Sequence, residues 1–310
     1  MFDCLVIGGG PAGLTAAIYL ARYHLSVKVV DDGNSRANLI PLSRNHAGFP
    51  HGISGSDLLK RMRDQAAPYG VRHQEGKILE LGRYNGTFTS RTQSREIHSA
   101  TVLLATGVVN RQPDMPQSLH DEALQRGLVR YCPICDGYEV TDQPIAVLGT
   151  GLQAANEAEF IRSYSADVTV ISPQAPDGFD AAQRQRLEGI GVRMLSGPCL
   201  AFELTPGHID IRLTSGTYSY AALYPALGSD VHSEIGISAG ARVSSDRCVI
   251  VDRHQSTNID GLFAAGDVVL GLDQISNAMG QGGVAATAIR NYIAKRRSLL
   301  RAGKPNRKLR

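Results

Sequence analysis

No stretch of this 310-residue sequence approaches the roughly 18 consecutive apolar residues that cross a bilayer, so a membrane-spanning protein is not expected. The opening MFDCLVIGGG carries no basic segment before its apolar run, so a secretory leader is not expected and the cytoplasm is the expected location. Cysteine is scarce: there are five, an odd number, and Cys4, Cys199 and Cys248 are scattered singly. That pattern excludes a secreted disulfide framework. A second CxxC to complete a four-ligand zinc site is missing too, and no metal is expected. Aromatic interleaving of basic residues is absent, which leaves no case for specific nucleic-acid binding.

What is present is 43% hydrophobic residues, 20% charged residues and 33 glycines, a composition that suits a soluble α/β protein of two domains. At the start, FDCLVI reads as a buried strand and LTAAIYLARYH as a helix. Between them Gly8-Gly9-Gly10-Pro11-Ala12-Gly13 makes G-x-G-x-x-G. In that pattern Gly8 allows the tight turn, Gly10 lets backbone approach a pyrophosphate, and Gly13 lets helix and strand pack closely. The strand SVKVV ends at Asp31, 18 residues after Gly13, where an acid can bond a ribose hydroxyl. Strand, glycine loop, helix and acid together predict a dinucleotide site. A second fingerprint, Gly149, Gly151 and Ala154 in PIAVLGTGLQAANEAEFI (144–161), lies between another strand and helix.

Between the two fingerprints lies RYCPICDGYE, residues 130–139. A CxxC inside an α/β pattern reads as a dithiol/disulfide couple. Asp136, directly after Cys135, is placed to carry a proton for it; the competing reading is a turn former before Gly137. Cys4, within the first strand, reads as a small core residue. His46, His51 and His254 read as surface or hydrogen-bonded loop residues.

TVLLATGV (101–108) and TNIDGLFAAGDVV (257–269) resemble the ATG and GD motifs of two-dinucleotide flavoprotein reductases. With CPICDG, the second fingerprint and the chain length, the sequence resembles the low-molecular-weight thioredoxin reductase family over nearly its whole length. The resemblance implies an α/β chain with two Rossmann-like, three-layer dinucleotide-binding domains, the second inserted in the first. The flavin domain is expected at 1–113 and 245–310, with 114–244 as the inserted, CxxC-bearing domain. It implies FAD held by Gly8, Gly10, Pro11, Ala12, Gly13, Asp31, Thr106, Gly107, Gly266 and Asp267, with Asp267 on the ribityl chain. Asn45, in NHAGFPHGISGSDLLKRMRDQA (45–66), belongs to the family's segment beside the flavin, and Gln274 and Ile275 line the isoalloxazine. It further implies a homodimer, a thioredoxin-like or small dithiol substrate, Cys135 nearest the flavin, and Cys132 as its partner.

Two departures stand out. After the strand DVTVI (167–171) the NADPH-using members carry a His-Arg-Arg cluster and a further arginine; this chain has Ser172-Pro173-Gln174, with Asp180 roughly where the further arginine belongs. A phosphate of about −2 charge needs cationic donors. The sequence therefore argues against NADPH, and leaves open a scaffold role with no nicotinamide bound or weak NADH binding through Gly149–Ala154 and Ser172. In GLDQISNAMGQGG (271–283), Asp273-Gln274-Ile275 replaces the family's Arg-Gln-Ala. The tail KRRSLLRAGKPNRKLR (295–310) holds eight basic residues and no acid; without them the net +3 becomes −5. Such a tail can steer an acidic donor such as ferredoxin, or simply be a solvated basic end. The expected function is an FAD-dependent thiol–disulfide oxidoreductase with a donor other than NADPH. An NAD(P)H-dependent reductase, an O₂-dependent dithiol oxidase and a flavin redox sensor without turnover stand beside it.

Overall fold

The computed structural model describes residues 1–174 and 178–301. In chain order, β1 (Phe2–Ile7), α1 (Pro11–Arg22) and β2 (Val27–Asp31) come first, followed by α2 (Gly55–Ala66) and β3 (Arg72–Glu75). Next is the meander β4 (Glu80–Tyr84), β5 (Thr87–Arg91) and β6 (Glu96–Leu104). Then β7 (Val108–Asn110), α3 (Gln117–Gln125) and the single turn α4 (Pro133–Asp136) lead to β8 (Ile145–Gly149), α5 (Gly151–Ile161) and β9 (Val168–Ser172). After α6 (Ala181–Gly189) and β10 (Arg193–Ser196) come β11 (Cys199–Thr205), β12 (His208–Leu213), β13 (Gly216–Tyr220), β14 (Ala222–Ala226) and β15 (Ser229–Val231). The chain closes with α7 (Glu234–Ser238), β16 (Leu262–Ala264) and α8 (Ile275–Ala294). Among the described residues no helix is long and apolar enough to cross a membrane.

The chain divides into two compact units, one of residues 1–35, 61–107 and 232–310, the other of 36–60 and 108–231. In the first, β3, β2, β1, β6 and β16 run parallel, and β5 and β4 extend the sheet antiparallel. Strands covered on both faces are apolar throughout rather than alternating, and β1 is buried from Asp3 to Ile7. The small residues Ala16, Ala17, Ala285 and Ala286 let α1 and α8 pack closely over Cys4, Val6, Val29 and Leu103. The second unit holds a parallel sheet in the order β10-β9-β8-β14 and an antiparallel sheet β11-β12-β13. Both parallel sheets are α/β dinucleotide folds, and residues 108–231 are inserted in the sequence of the first unit.

The divisions fall at 107/108 and 231/232, earlier than the 113/114 and 244/245 expected from sequence. The reason is pairing: β7 joins β15 antiparallel, so residues 108–110 and 229–231 go together. Beyond that ribbon, α7 packs on the flavin-side sheet, where Gly236 is close enough to Leu104 for an added Cβ to meet it at 2.9 Å. Residues 36–60 group with the second unit, joined by Arg44–Glu139 at 3.2 Å and Asn45 Nδ2 donating to the Ile134 carbonyl at 3.3 Å.

Candidate active site

In the first unit the glycine loop is built for close approach. Gly8 has φ 107°, and a Cβ there would collide with the Ala105 carbonyl; one on Gly13 would collide with the Gly8 carbonyl. The Ala105-Thr106-Gly107 turn and the first fingerprint are thereby locked together. Asp31, expected on a ribose hydroxyl, is buried, and its Oδ1 accepts the Gly9 N–H at 2.9 Å, so the acid at the end of β2 fixes the glycine loop. The Thr106 hydroxyl donates to the His232 carbonyl at 2.5 Å, and Gly107 has φ 66°. Gly266, at φ 81°, sits where an added Cβ would meet Ala12 Cβ at 2.8 Å, and its N–H donates to Gln281 Oε1 at 2.7 Å. Asp267 is therefore carried to the first turn of α1. Gln274 is the N-cap of α8 and Ile275 its first residue.

These residues fit a flavin dinucleotide. The α1 N-terminus starts at Pro11 after a Gly10 that brings no capping side chain, leaving backbone N–H groups for a pyrophosphate. An added Cβ on Gly10 would meet only Ser35 Oγ, at 3.2 Å, so that face of the loop is otherwise open. Ser35 was not singled out from sequence, because nothing in DDGNSR marks it.

In the second unit Cys132 and Cys135 form a disulfide, with Cα atoms 5.2 Å apart. Pro133 at the first helical position preorganises α4. The Cys135 N–H points at Cys132 Sγ, 3.2 Å away, a donor that favours negative charge on that sulfur once the bond opens. Asp136 ends the turn with each carboxylate oxygen held: Tyr224 OH donates to Oδ1 at 2.9 Å, and Arg130 Nη1 lies 3.3 Å from Oδ2. Burial pushes the Asp136 carboxyl above its usual range, against the pull of Arg130 and of the Tyr224 hydroxyl. Burial and the neighbouring carboxylate push Tyr224 far up, so it stays a protonated donor. Sequence reasoning missed both partners. Tyr224 lies in ALYPA, a strand buried throughout, and reads as core; Arg130 carries only its nearness to CPIC as a signal.

Ile134 and Tyr138 flank the disulfide with exposed apolar surface. Asn45, expected beside the flavin, contacts the CxxC turn through Ile134 and accepts from Ser43 Oγ at 3.1 Å. The three remaining cysteines are free; Cys4 is buried, and its thiol is pushed up to about 12 by burial.

The second fingerprint has the packing its glycines predict. A Cβ on Gly149 would meet the Ala226 carbonyl at 2.5 Å and Ala154 Cβ at 3.1 Å, and Gly151 has φ 62°. The cations are missing. Pro173 and Gln174 follow β9, and residues 175–177 lie outside the described residues. Ser172, expected as a contact for NADH, is fully buried and donates to the Gln174 carbonyl at 2.6 Å, so its hydroxyl is spent inside its own turn. Asp180 is the N-cap of α6, accepting the Gln183 N–H at 2.8 Å in a capping box. Its acid thus has a helix-starting role that the comparison with an arginine position did not foresee.

Three of the four described basic residues of the tail have partners. Arg296 pairs with Asp260 at 3.1 Å, Arg297 with Asp3 at 2.7 Å, and Arg301 Nη1 lies 3.2 Å from His24 Nε2. Lys304, Arg307, Lys308 and Arg310 lie outside the described residues. Among the described residues no group of three His, Cys, Asp or Glu could hold a metal.

The profile of the pyridine nucleotide-disulphide oxidoreductases matches residues 2–282. Thioredoxin reductase from Mycolicibacterium smegmatis is 31% identical over 310 residues, covering 94% of this chain and 97% of that protein. Thioredoxin reductase from Aquifex aeolicus is 27% identical over 319 residues, covering 97% and 96%. Thioredoxin reductase from Streptococcus pyogenes superposes with a TM-score of 0.87 at 27% identity, over 95% of this chain and 99% of that one. The chain therefore belongs to the pyridine nucleotide-disulphide oxidoreductase family, as an FAD-dependent disulfide oxidoreductase of the thioredoxin reductase type.

Proposed function

We propose that this enzyme exchanges electrons between FAD and a thioredoxin-like protein or small dithiol through Cys132 and Cys135, with a donor other than NADPH. The observation that carries the exchange is the Cys132–Cys135 disulfide followed by a carboxyl whose two oxygens are both held. The relatives' names, thioredoxin reductase, support a protein disulfide as partner.

Gly8, Gly10, Pro11, Ala12 and Gly13 would hold the FAD pyrophosphate, Asp31 the ribose, and Asp267 the ribityl chain. Thr106, Gly107, Asn45, Gln274 and Ile275 would line the rest. When bound, FAD supplies a two-electron carrier. Two electrons break the S–S bond and leave two thiolates, one of which takes a proton from Asp136. The Cys132 thiolate, favoured by the Cys135 N–H, attacks the external disulfide and forms a mixed disulfide. Cys135 then returns its proton to Asp136 and attacks Cys132, which restores the Cys132–Cys135 bond and releases the external sulfurs as thiolates that take two protons from solvent. Ile134 and Tyr138 would meet the partner. The family resemblance also implies a homodimer.

Absence of cationic side chains at Pro173 and Gln174 supports the donor reading, with ferredoxin as the candidate. A second reading, NAD(P)H-dependent reduction, is favoured by the intact turn at Gly149 and Gly151 and by an α5 N-terminus that no side chain caps. The exchange is tested by adding reduced thioredoxin to the yellow holoenzyme without oxygen. Wild-type flavin absorbance falls, and Cys135→Ser abolishes the fall while flavin stays bound. Bleaching that persists in Cys135→Ser would overturn the dithiol route.

A further inference from the structure

Resting on the dithiol reading above, we infer that Arg130 and Tyr224 are positioning residues that clamp the Asp136 carboxyl from its two sides and set the pH at which it gives up and regains the proton of the dithiol. Neither side chain belongs to the CxxC turn. Arg130 comes from the segment before it, and Tyr224 from the second unit's parallel sheet, within ALYPA on β14.

The geometry divides the work between them. Arg130 is a staple: Nε donates to the Gly127 carbonyl at 2.8 Å, and Nη1 lies 3.3 Å from both the Asp136 carbonyl and Asp136 Oδ2. Its side chain is only 18% exposed, so the contact is shielded from the screening that weakens surface pairs. A guanidinium can only donate, and it favours the carboxylate over the acid. A tyrosine hydroxyl can both donate and accept. It donates to the Asp136 carboxylate and, by rotating, can accept from the carboxylic acid. Tyr224 therefore keeps Asp136 in place in both protonation states, while Arg130 biases the balance between them.

Other ionisable groups surround the clamp. Glu139, in the turn after α4, opposes ionisation of Asp136 and is itself held by Arg44 at 3.2 Å. Glu157 on α5 has a buried Oε1 with no hydrogen-bond partner; burial pushes its carboxyl to about 7, and its charge is felt at Tyr224. The Tyr164 ring packs so close to Gly137 that an added Cβ would meet it at 2.6 Å, closing the turn's far side. Arg130 is thus the cation that acts on Asp136 directly, against burial and the Glu139 carboxylate.

The proton balance is simple. On reduction the S–S bond opens with two electrons supplied by the flavin exchange proposed above, and one sulfur takes the Asp136 proton. On reoxidation the proton returns to Asp136.

The test uses the holoenzyme, without oxygen, across pH 5–9. One readout is the limiting rate of flavin bleaching at saturating dithiothreitol. The other is the rate of iodoacetamide alkylation of the reduced cysteines, followed by peptide mass, which needs no turnover. Removing the cation raises the Asp136 carboxyl further, so Arg130→Met shifts the midpoints of both profiles to higher pH, and Arg130→Lys restores them. Tyr224→Phe lowers the bleaching rate by roughly tenfold, a fraction of what general acid–base catalysis typically contributes, with a smaller midpoint shift. Unmoved or downward-shifted midpoints in Arg130→Met, in protein that keeps its flavin, overturn the inference alone. If the wild type shows no bleaching that depends on Cys135, the dithiol reading has failed and takes the inference with it.

Discussion

At the scale of single residues, the glycine fingerprint shows how tightly a side chain can be excluded. A Cβ on Gly13 would run into the Gly8 carbonyl and lie 3.1 Å from Val6 Cγ1 and 3.2 Å from Ala105 Cβ. Two of these neighbours belong to the loop or the ATG turn, so relief would displace the flavin cradle itself. Gly13→Ala is expected to cost about 2 kcal/mol and to lower Tm by about 4–8 °C. The ratio of flavin to protein absorbance in the purified variant checks the binding half of this expectation, and a ratio equal to wild type would contradict it. Such positions are legible in a sequence because only glycine meets their sterics. Arg130 and Tyr224 were not legible, because a buried tyrosine in an apolar strand looks like any other core residue until its hydroxyl partner is known.

Among the elements, the strand–turn–helix pattern was read correctly for β1–α1 and β8–α5, where continuous apolar runs are bounded by glycine loops. The segment after β9 was harder. Asp180 looked like a misplaced charge, but local capping geometry gives it a partner three residues on, a relation that depends on where α6 begins. Ser172 likewise looked available and is not, because its hydroxyl closes its own turn. Gln174, by contrast, is exposed at the end of β9 and free to be replaced without disturbing the core. Pro173→Arg with Gln174→Arg should therefore build part of the missing phosphate site. Hydrogen bonds to charged groups contribute roughly 1.5–3 kcal/mol each, so the pair is expected to tighten NADPH binding at least about tenfold. Calorimetric titration of NADPH against NADH measures this, and equal gains for both nucleotides would show that the arginines do not read the phosphate.

For the whole molecule, each unit supplies one part of the chemistry: a cradle in the first, where Gly8, Ala105, Ala12 and Gly266 converge, and a clamped dithiol in the second. The order of these parts along the chain was legible from motifs, but the boundaries were not. They are set by the β7–β15 ribbon and the seat of α7 on Leu104, pairings between distant segments that leave no local signal. In the basic tail, Arg296, Arg297 and Arg301 find partners in the first unit, while Lys304, Arg307, Lys308 and Arg310 lie outside the described residues.

The central claim is an enzyme whose dithiol communicates with FAD and whose second fingerprint lacks the charge to use NADPH. Its most direct test is an anaerobic titration of the holoenzyme with NADPH, then NADH, then dithiothreitol, following flavin absorbance. The account predicts little or no bleaching by NADPH and prompt bleaching by the dithiol. Rapid bleaching by NADPH would contradict the donor assignment, and a flavin that dithiothreitol leaves yellow would contradict the dithiol route itself.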